Sequence, residues 1–589
     1  MKSNKRKTTQ WLIPESVVPT APGSYDIYPG FKVPDHSIQA GYESLAGVFE
    51  KHQHVILEGY VGVFWEDLRN GIDAHLQERG LKVKWQKMAS AFKPVGEVET
   101  IIAPFLGGDD PVFGKKTTLT LIDFYDIGQI EKMIPDPTAD INIVYGPGAA
   151  LCQWEGLVCY VDLPKNELQF RMRAGATTNL GAVECTSPKS MYKRFYFVDW
   201  VVLNLHKQQL LPRIDLLVDD QRPEKPFWTT GECLRSSLEA MSVNFFRVRP
   251  WFEPGAWGGS WMKNHITQLS REVPNYAWSF ELIVPENGLL LVDNGKVLEC
   301  SFDFLMFQAH ENVLGAAADR FGVEFPIRFD FLDTFDGGNL SVQVHPREDF
   351  IKEAFGENFT QDECYYMLDT KEDSEVFLGF KGDIDPSLFR VELESSLKNT
   401  TEVDIEKYVN KVKVRKHDLF LIPAGTIHSS GKNNLVLEIS ATPYIFTFKL
   451  YDWLRLDLDG QPRPLNLDRG FLNLNFARKG EVIDREHIAR PELMEKGEDW
   501  VLFHLPTHKD HFYDVHRMEF HSLVEVDTQN QCHVLSLVEG ESILLETAGG
   551  LTQRFNFAET FVVPAACRKY KMINEGMGIC KVIKAFVKA

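Results

Sequence analysis

At 589 residues, 44% hydrophobic and 25% charged, the chain is ordinary globular material too long for one core, so roughly two to four domains are expected. A formal charge of −20 offers no global attraction to nucleic acid or anionic lipid and argues against both as partners, whereas a small phosphorylated molecule needs only a local basic pocket. Nine cysteines without a C-x-x-C pair read as reduced thiols in a cytoplasmic protein, and no run of about 18 apolar residues offers a membrane span.

Residues 1 to about 45, rich in Pro, Gly and aromatics, read as an extended arm, with Lys5-Arg6-Lys7 as a solvated basic tail. The apolar run His54-Val55-Ile56-Leu57-Glu58-Gly59 predicts a buried strand entering a Gly loop. A helix follows from Trp65 to Arg79 and stops at Gly80. Further strands are expected at Leu119–Asp123, Ile141–Tyr145 and Leu157–Asp162. Strands alternating with helices imply a parallel sheet with crossovers.

Over roughly residues 50 to 220 this layout resembles the core of P-loop nucleoside and uridine kinases. A phosphate-cradling loop needs GxxxxGK[ST], with its backbone N–H groups and Lys on the phosphates. Here the loop reads Gly59-Tyr60-Val61-Gly62-Val63-Phe64-Trp65-Glu66 and has no Lys, while Gly114-Lys115-Lys116-Thr117 has the wrong spacing. The region reads as a degenerate kinase-like α/β domain over residues 1–245.

Beyond residue 245 short strands and turns dominate, the texture of a sandwich or jelly roll. Trp278–Val284, Leu340–His345, Glu375–Phe380, Leu419–Ile422 and Leu435–Ser440 are predicted strands. A helical insert begins at Pro386, capped by Asp385, and is expected to last to about Asn410. In Leu340-Ser341-Val342-Gln343-Val344-His345 the alternation puts Gln343 and His345 on one face of a strand. A lone strand His is more often a hydrogen-bonded core residue, so partners are needed. Glu363, on the strand Asp362–Leu368, and His428, just past the turn Pro423-Ala424-Gly425-Thr426-Ile427, can supply them. Two His, one Gln and one carboxylate form a mixed N/O donor set that suits Zn²⁺, and an open position would make such a site catalytic.

Gln343-Val344-His345-Pro346, Glu363-Cys364-Tyr365-Tyr366, Pro423-Ala424-Gly425-Thr426-Ile427-His428 and Tyr451-Asp452-Trp453-Leu454-Arg455-Leu456-Asp457 fall in the order of a class I mannose-6-phosphate isomerase, a zinc cupin, which residues 250 to 475 therefore resemble. The resemblance implies Gln343, His345, Glu363 and His428 as Zn²⁺ ligands, Glu438 as an active-site carboxylate, and a phosphosugar substrate. Two positions depart from the family: Gln361 stands where Lys is common before the ligand Glu, and Lys449 stands where the family has its active-site Arg. Arg and Lys differ where an anion is held bidentately, so the departures bear on the choice of sugar. Arg455 could add a second cation.

The expected architecture is thus multidomain: the N-terminal unit, a catalytic cupin with a helical insert over 246–500, and a second, metal-free cupin over 501–589. In that last unit Pro564-Ala565 leads to Arg568 rather than to a His, and His533 lacks partners at ligand spacing. The leading expectation is a zinc-dependent isomerase of mannose 6-phosphate and fructose 6-phosphate acting through an enediol, with Lys449, Glu438 and Arg455 around the substrate. The alternatives are a non-catalytic sugar-phosphate sensor and a small-molecule phosphotransferase using the N-terminal domain. Contacts of either terminal domain could build an oligomer.

Overall fold

The computed structural model describes residues 5–588. It is multidomain and β-rich, with six separate sheets, none closed into a barrel. No helix among the described residues is long and apolar enough to cross a membrane.

The N-terminal unit centres on a seven-stranded sheet. Its strands β1 (His54–Gly59), β2 (Val83–Lys87), β3 (Ile141–Tyr145), β4 (Leu157–Asp162), β5 (Leu216–Asp219) and β6 (Phe227–Thr230) lie in the order β6-β5-β4-β1-β3-β2, with Gln39–Ala40 outside β6. Pairing from β5 to β2 is parallel, and β6 is antiparallel to β5. Helix α1 (Trp65–Glu78) links β1 to β2 and buries Leu68, Ile72 and Leu76, the i, i+4, i+8 stripe of an amphipathic helix. Helices α2 (Lys165–Arg173), α3 (Pro188–Arg194) and α4 (Trp200–Leu210) fill the connection from β4 to β5.

Three expectations need correction. Leu119–Asp123 is not a strand: Leu121–Phe124 is a 3-10 turn, because Thr120 and Asp123 close a capping box that rewards helical backbone there. The edge position belongs to β2 instead. The described part of the basic tail is docked rather than solvated, since both terminal oxygens of Glu167 accept from the Arg6 guanidinium (2.6 and 2.8 Å) and Lys5 pairs with Asp67. The insert helix α5 (Pro386–Asn399) ends eleven residues early, at Thr400 in left-handed backbone (φ 54°), before the strand Val409–Lys413.

The middle of the chain is a sandwich of two antiparallel sheets. One holds β7 (Ile327–Asp333), β9 (Glu363–Thr370), β11 (Leu419–Ile422) and β13 (Asn434–Ala441) in the order β11-β9-β13-β7, continued by Trp278–Leu282 and Trp251–Glu253. The other holds β8 (Val342–Val344), β10 (Glu375–Phe380), β12 (His428–Ser430) and β14 (Phe448–Tyr451) in the order β10-β12-β8-β14, with Val409–Lys413 outside β10. Leu332, Met367, Phe420 and Val436 of the first sheet meet Val376 and Leu378 of the second in one buried cluster, so the two inner faces pack on each other.

The N-terminal unit covers the outer face of the second sheet. Phe113 contacts Phe355, Phe446 and Phe448 at ring distances of 5.1, 6.0 and 5.5 Å. A further pair of antiparallel sheets closes the chain, the larger containing β15 (Trp500–Leu505), β16 (Tyr513–Phe520), β17 (His533–Glu539) and β18 (Cys580–Val587).

Candidate metal centre and substrate cavity

Three side chains meet between the sandwich sheets. His345 follows β8, His428 opens β12, and Glu363 opens β9 on the facing sheet. The carboxylate of Glu363 lies 3.1 Å from Nε2 of His345 and 2.8 Å from Nε2 of His428. All three residues are buried.

Each imidazole is oriented from behind. His345 donates from Nδ1 to the Phe446 carbonyl (3.0 Å), and His428 from Nδ1 to the Thr426 carbonyl (2.9 Å). A carbonyl only accepts, so Nδ1 carries the hydrogen and Nε2 turns its lone pair on the carboxylate. Nε2 of His345 and Oε1 of Glu363 have no hydrogen-bond partner. Lone pairs facing carboxylate oxygens in a buried space call for a cation, and His345, Glu363 and His428 form a group that could hold one.

Gln343 is the fourth expected ligand. It sits directly across from His428 on β12 and offers its NH₂ to His428 Nε2 at 3.2 Å, while its Oε1 accepts from Ser341. A half-turn of the amide would present Oε1 to an ion and leave Ser341 a donor in return. Gln343 also lines a cavity of about 550 Å³, the size of a small-molecule site. His345, Glu363 and His428 are not among its lining residues.

Lys449, Glu438 and Gln361 line the same cavity. Lys449 faces Gln343 across β8 and β14; burial first, and Arg463 next, push its ammonium down to about 8. Glu438 pairs with Arg328, which also reaches Asp330 (3.3 Å) and donates to Ser440 (2.9 Å). Asp330 faces Glu438 across β7 and β13, and burial lifts its carboxyl to about 6. Gln361 is buried with its Oε1 unpartnered.

Arg455 stands apart. It pairs with Asp452 (2.6 Å) and donates to the Asn339 carbonyl (2.5 Å), outside the residues lining the cavity. Asp452 also holds Arg463, and Arg463 is the cation of this loop that reaches the cavity. Sequence reasoning passes over Arg328, Asp330 and Arg463. The alternation Arg328-Phe329-Asp330-Phe331 does carry a signal, because it is a strand with one charged face.

The N-terminal Gly loop offers no phosphate cradle. The Glu58 carboxylate accepts from the N–H groups of Gly59, Gly148 and Ala150 (2.9, 2.7 and 2.9 Å) and contacts His206 Nε2 (3.0 Å). An internal anion thus ties the end of β1 to the turn after β3. Asp162, at the end of β4, is likewise taken up by Lys207 (3.0 Å) and the Ser301 N–H (2.6 Å).

In the last unit, His504, Asp514 and His516 form a second group of metal-capable side chains, half-buried on neighbouring strands. Lys584 faces His516 directly across β16 and β18, with its ammonium pushed down to about 8 by burial, and this neighbouring amine counts against a cation there. His533 is buried against the Tyr570 hydroxyl (3.0 Å), a structural contact.

Comparison with known proteins adds the following. A family model described as a domain of unknown function, DUF8485, matches residues 41–243. GmuF of Bacillus subtilis, called a probable mannose-6-phosphate isomerase, is 24% identical over 54% of this chain and 92% of its own. The mannose-6-phosphate isomerase ManA of the same organism is 24% identical over 56% of this chain and 96% of its own. A crystal structure of the mannose 6-phosphate isomerase from Bacillus subtilis aligns with 58% of this chain and 99% of its own at 20% identity and a TM-score of 0.46. The chain is thus similar, over about half its length, to nearly whole mannose-6-phosphate isomerases.

Proposed function

We propose that this chain is a metal-dependent aldose–ketose isomerase that interconverts mannose 6-phosphate and fructose 6-phosphate. It would divide into an α/β unit over 1–245, a catalytic cupin over 246–500 and a second cupin over 501–589. The observation that carries the reading is the convergence of His345, Glu363 and His428 with Nε2 and Oε1 atoms left unpartnered. Gln343, His345, Glu363 and His428 would hold Zn²⁺, whose contribution there is Lewis acidity toward the sugar oxygens.

The remaining chemistry belongs to the protein. Isomerisation moves a proton between C1 and C2 through an enediol, so a carboxylate must take the proton and return it. Asp330 and Glu438, sharing Arg328 on the cavity wall, are suited to this as a coupled pair. Arg328 orients them and steadies their charge. Lys449 supplies a cation to the anionic end of the substrate, and the sandwich walls keep water from the enediol.

The sensor reading has one observation behind it, the Gln361 and Lys449 substitutions in the cavity wall. A coupled assay of mannose 6-phosphate turnover on purified full-length protein, beside calorimetric binding of the same sugar, separates the two. Turnover supports the isomerase, and binding without turnover supports the sensor.

A further inference from the structure

The cavity has a wall that the sandwich does not supply. Gln169 and Arg173 of α2 and Lys189 and Tyr192 of α3, all from the N-terminal unit, line it with Gln343 and Lys449. Glu286 fixes this wall in place. Its Oε1 accepts from the Tyr192 hydroxyl (2.7 Å) and from the Tyr444 hydroxyl, and its Oε2 from the Gln169 amide. Residues of the two units are therefore tied to one buried carboxylate beside the cavity.

The cations around the cavity are unequal. Arg173 is matched by Glu253 (2.7 Å), Arg328 by Asp330 and Glu438, and Arg463 by Asp452. Among the described residues, no hydrogen bond or ion pair engages the ammonium of Lys189 or of Lys449. One is an exposed rim residue on α3, the other lies directly across from Gln343, and both line the cavity. Asp457 lines the same cavity. Two unmatched like charges facing one cavity are held at a cost, and an entering dianion relieves it. A phosphoryl group is such a dianion, and its oxygens accept several charge-assisted hydrogen bonds at once.

We propose that the N-terminal unit completes the substrate pocket, and that the phosphoryl group of the substrate is held between Lys189 of that unit and Lys449 of the sandwich. The sugar part of this statement rests on the isomerase reading; the phosphoryl part does not. It gives the N-terminal unit a task other than phosphate transfer: its Gly loop has no Lys, while α3 reaches over a neighbouring cavity.

The test uses the full-length chain with Lys189→Ala and Lys189→Arg, titrated with inorganic phosphate by calorimetry and assayed with mannose 6-phosphate. Lys189 is exposed, so the alanine variant keeps the parent melting temperature. Losing one charge-assisted contact should raise both the phosphate Kd and the KM about tenfold or more, with kcat changed by no more than about threefold, and Arg should restore most of the loss. Unchanged phosphate Kd and KM in Lys189→Ala would overturn the proposal and leave the isomerase reading untouched. A parent chain that binds phosphate through Lys189 but never isomerises the sugar would uphold the clamp and sink the isomerase.

Discussion

Gln343 stands directly opposite Lys449 across the β8–β14 strand pair. The same residue faces His428 on its other side, so one rung of the sheet runs from an imidazole through an amide to an ammonium, and the last two line the cavity. Directly opposed residues on adjacent strands point to one face. In the proposed reading, the rung joins the candidate metal group to the cation that would receive the substrate.

Lys449 is expected to trade stability for function. Its ammonium is pushed down to about 8, so the folded state carries the cost of the charge below that pH and sheds it as pH rises toward the ordinary lysine value. Lys449→Met should therefore raise stability at pH 7, on the order of 1–3 kcal/mol, with the gain vanishing by about pH 10.5. It should also lower kcat/KM about a hundredfold or more. Denaturant melts at pH 7 and 10 beside steady-state kinetics check both. A variant that melts lower at pH 7 contradicts the burial argument.

The Asp330–Glu438 pair is expected to set the acid limb of activity. A proton acceptor works only when ionised, and Asp330 is lifted by burial to about 6, so kcat/KM should climb with pH through about 6. Asp330→Asn should displace this limb. Arg328→Met, which removes the charge both carboxylates share, should move it upward. A flat profile from pH 5 to 7 in the parent chain excludes the pair as base.

Glu58 is expected to be structural and irreplaceable. Three backbone N–H groups lose their acceptor in Glu58→Ala, and each unsatisfied buried donor costs about 1–3 kcal/mol. A loss of at least about 3 kcal/mol should appear in urea melts, with Glu58→Gln milder. ATP should give no heat with the parent chain, and micromolar ATP binding would mean that the loop can open.

Much of this was legible in the sequence, and the losses have physical causes. Gln343 and His345 show themselves by two-residue alternation, and α5 by Asp385 and Pro386, because strand period and capping are local. The Thr120–Asp123 capping box is equally local and outweighs the apolar alternation that suggests a strand. Arg455 and Arg463 cannot be told apart from spacing, since both bond Asp452 and only the loop path decides which one reaches the cavity. Lys189 and Tyr192 are beyond sequence reasoning altogether. The partners of Tyr192, Glu286 and Tyr444, lie 94 and more residues away, across a contact between units, and Lys189 reaches the cavity only through the same packing.

The metal centre is tested most directly by elemental analysis of the purified full-length chain, followed against isomerase activity during chelation and refilling. The account predicts about one Zn²⁺ per chain, activity that falls in step with its removal and returns on adding it back, and loss of both in His345→Ala. Full activity in a chain stripped to less than about a tenth of an equivalent of metal would contradict it.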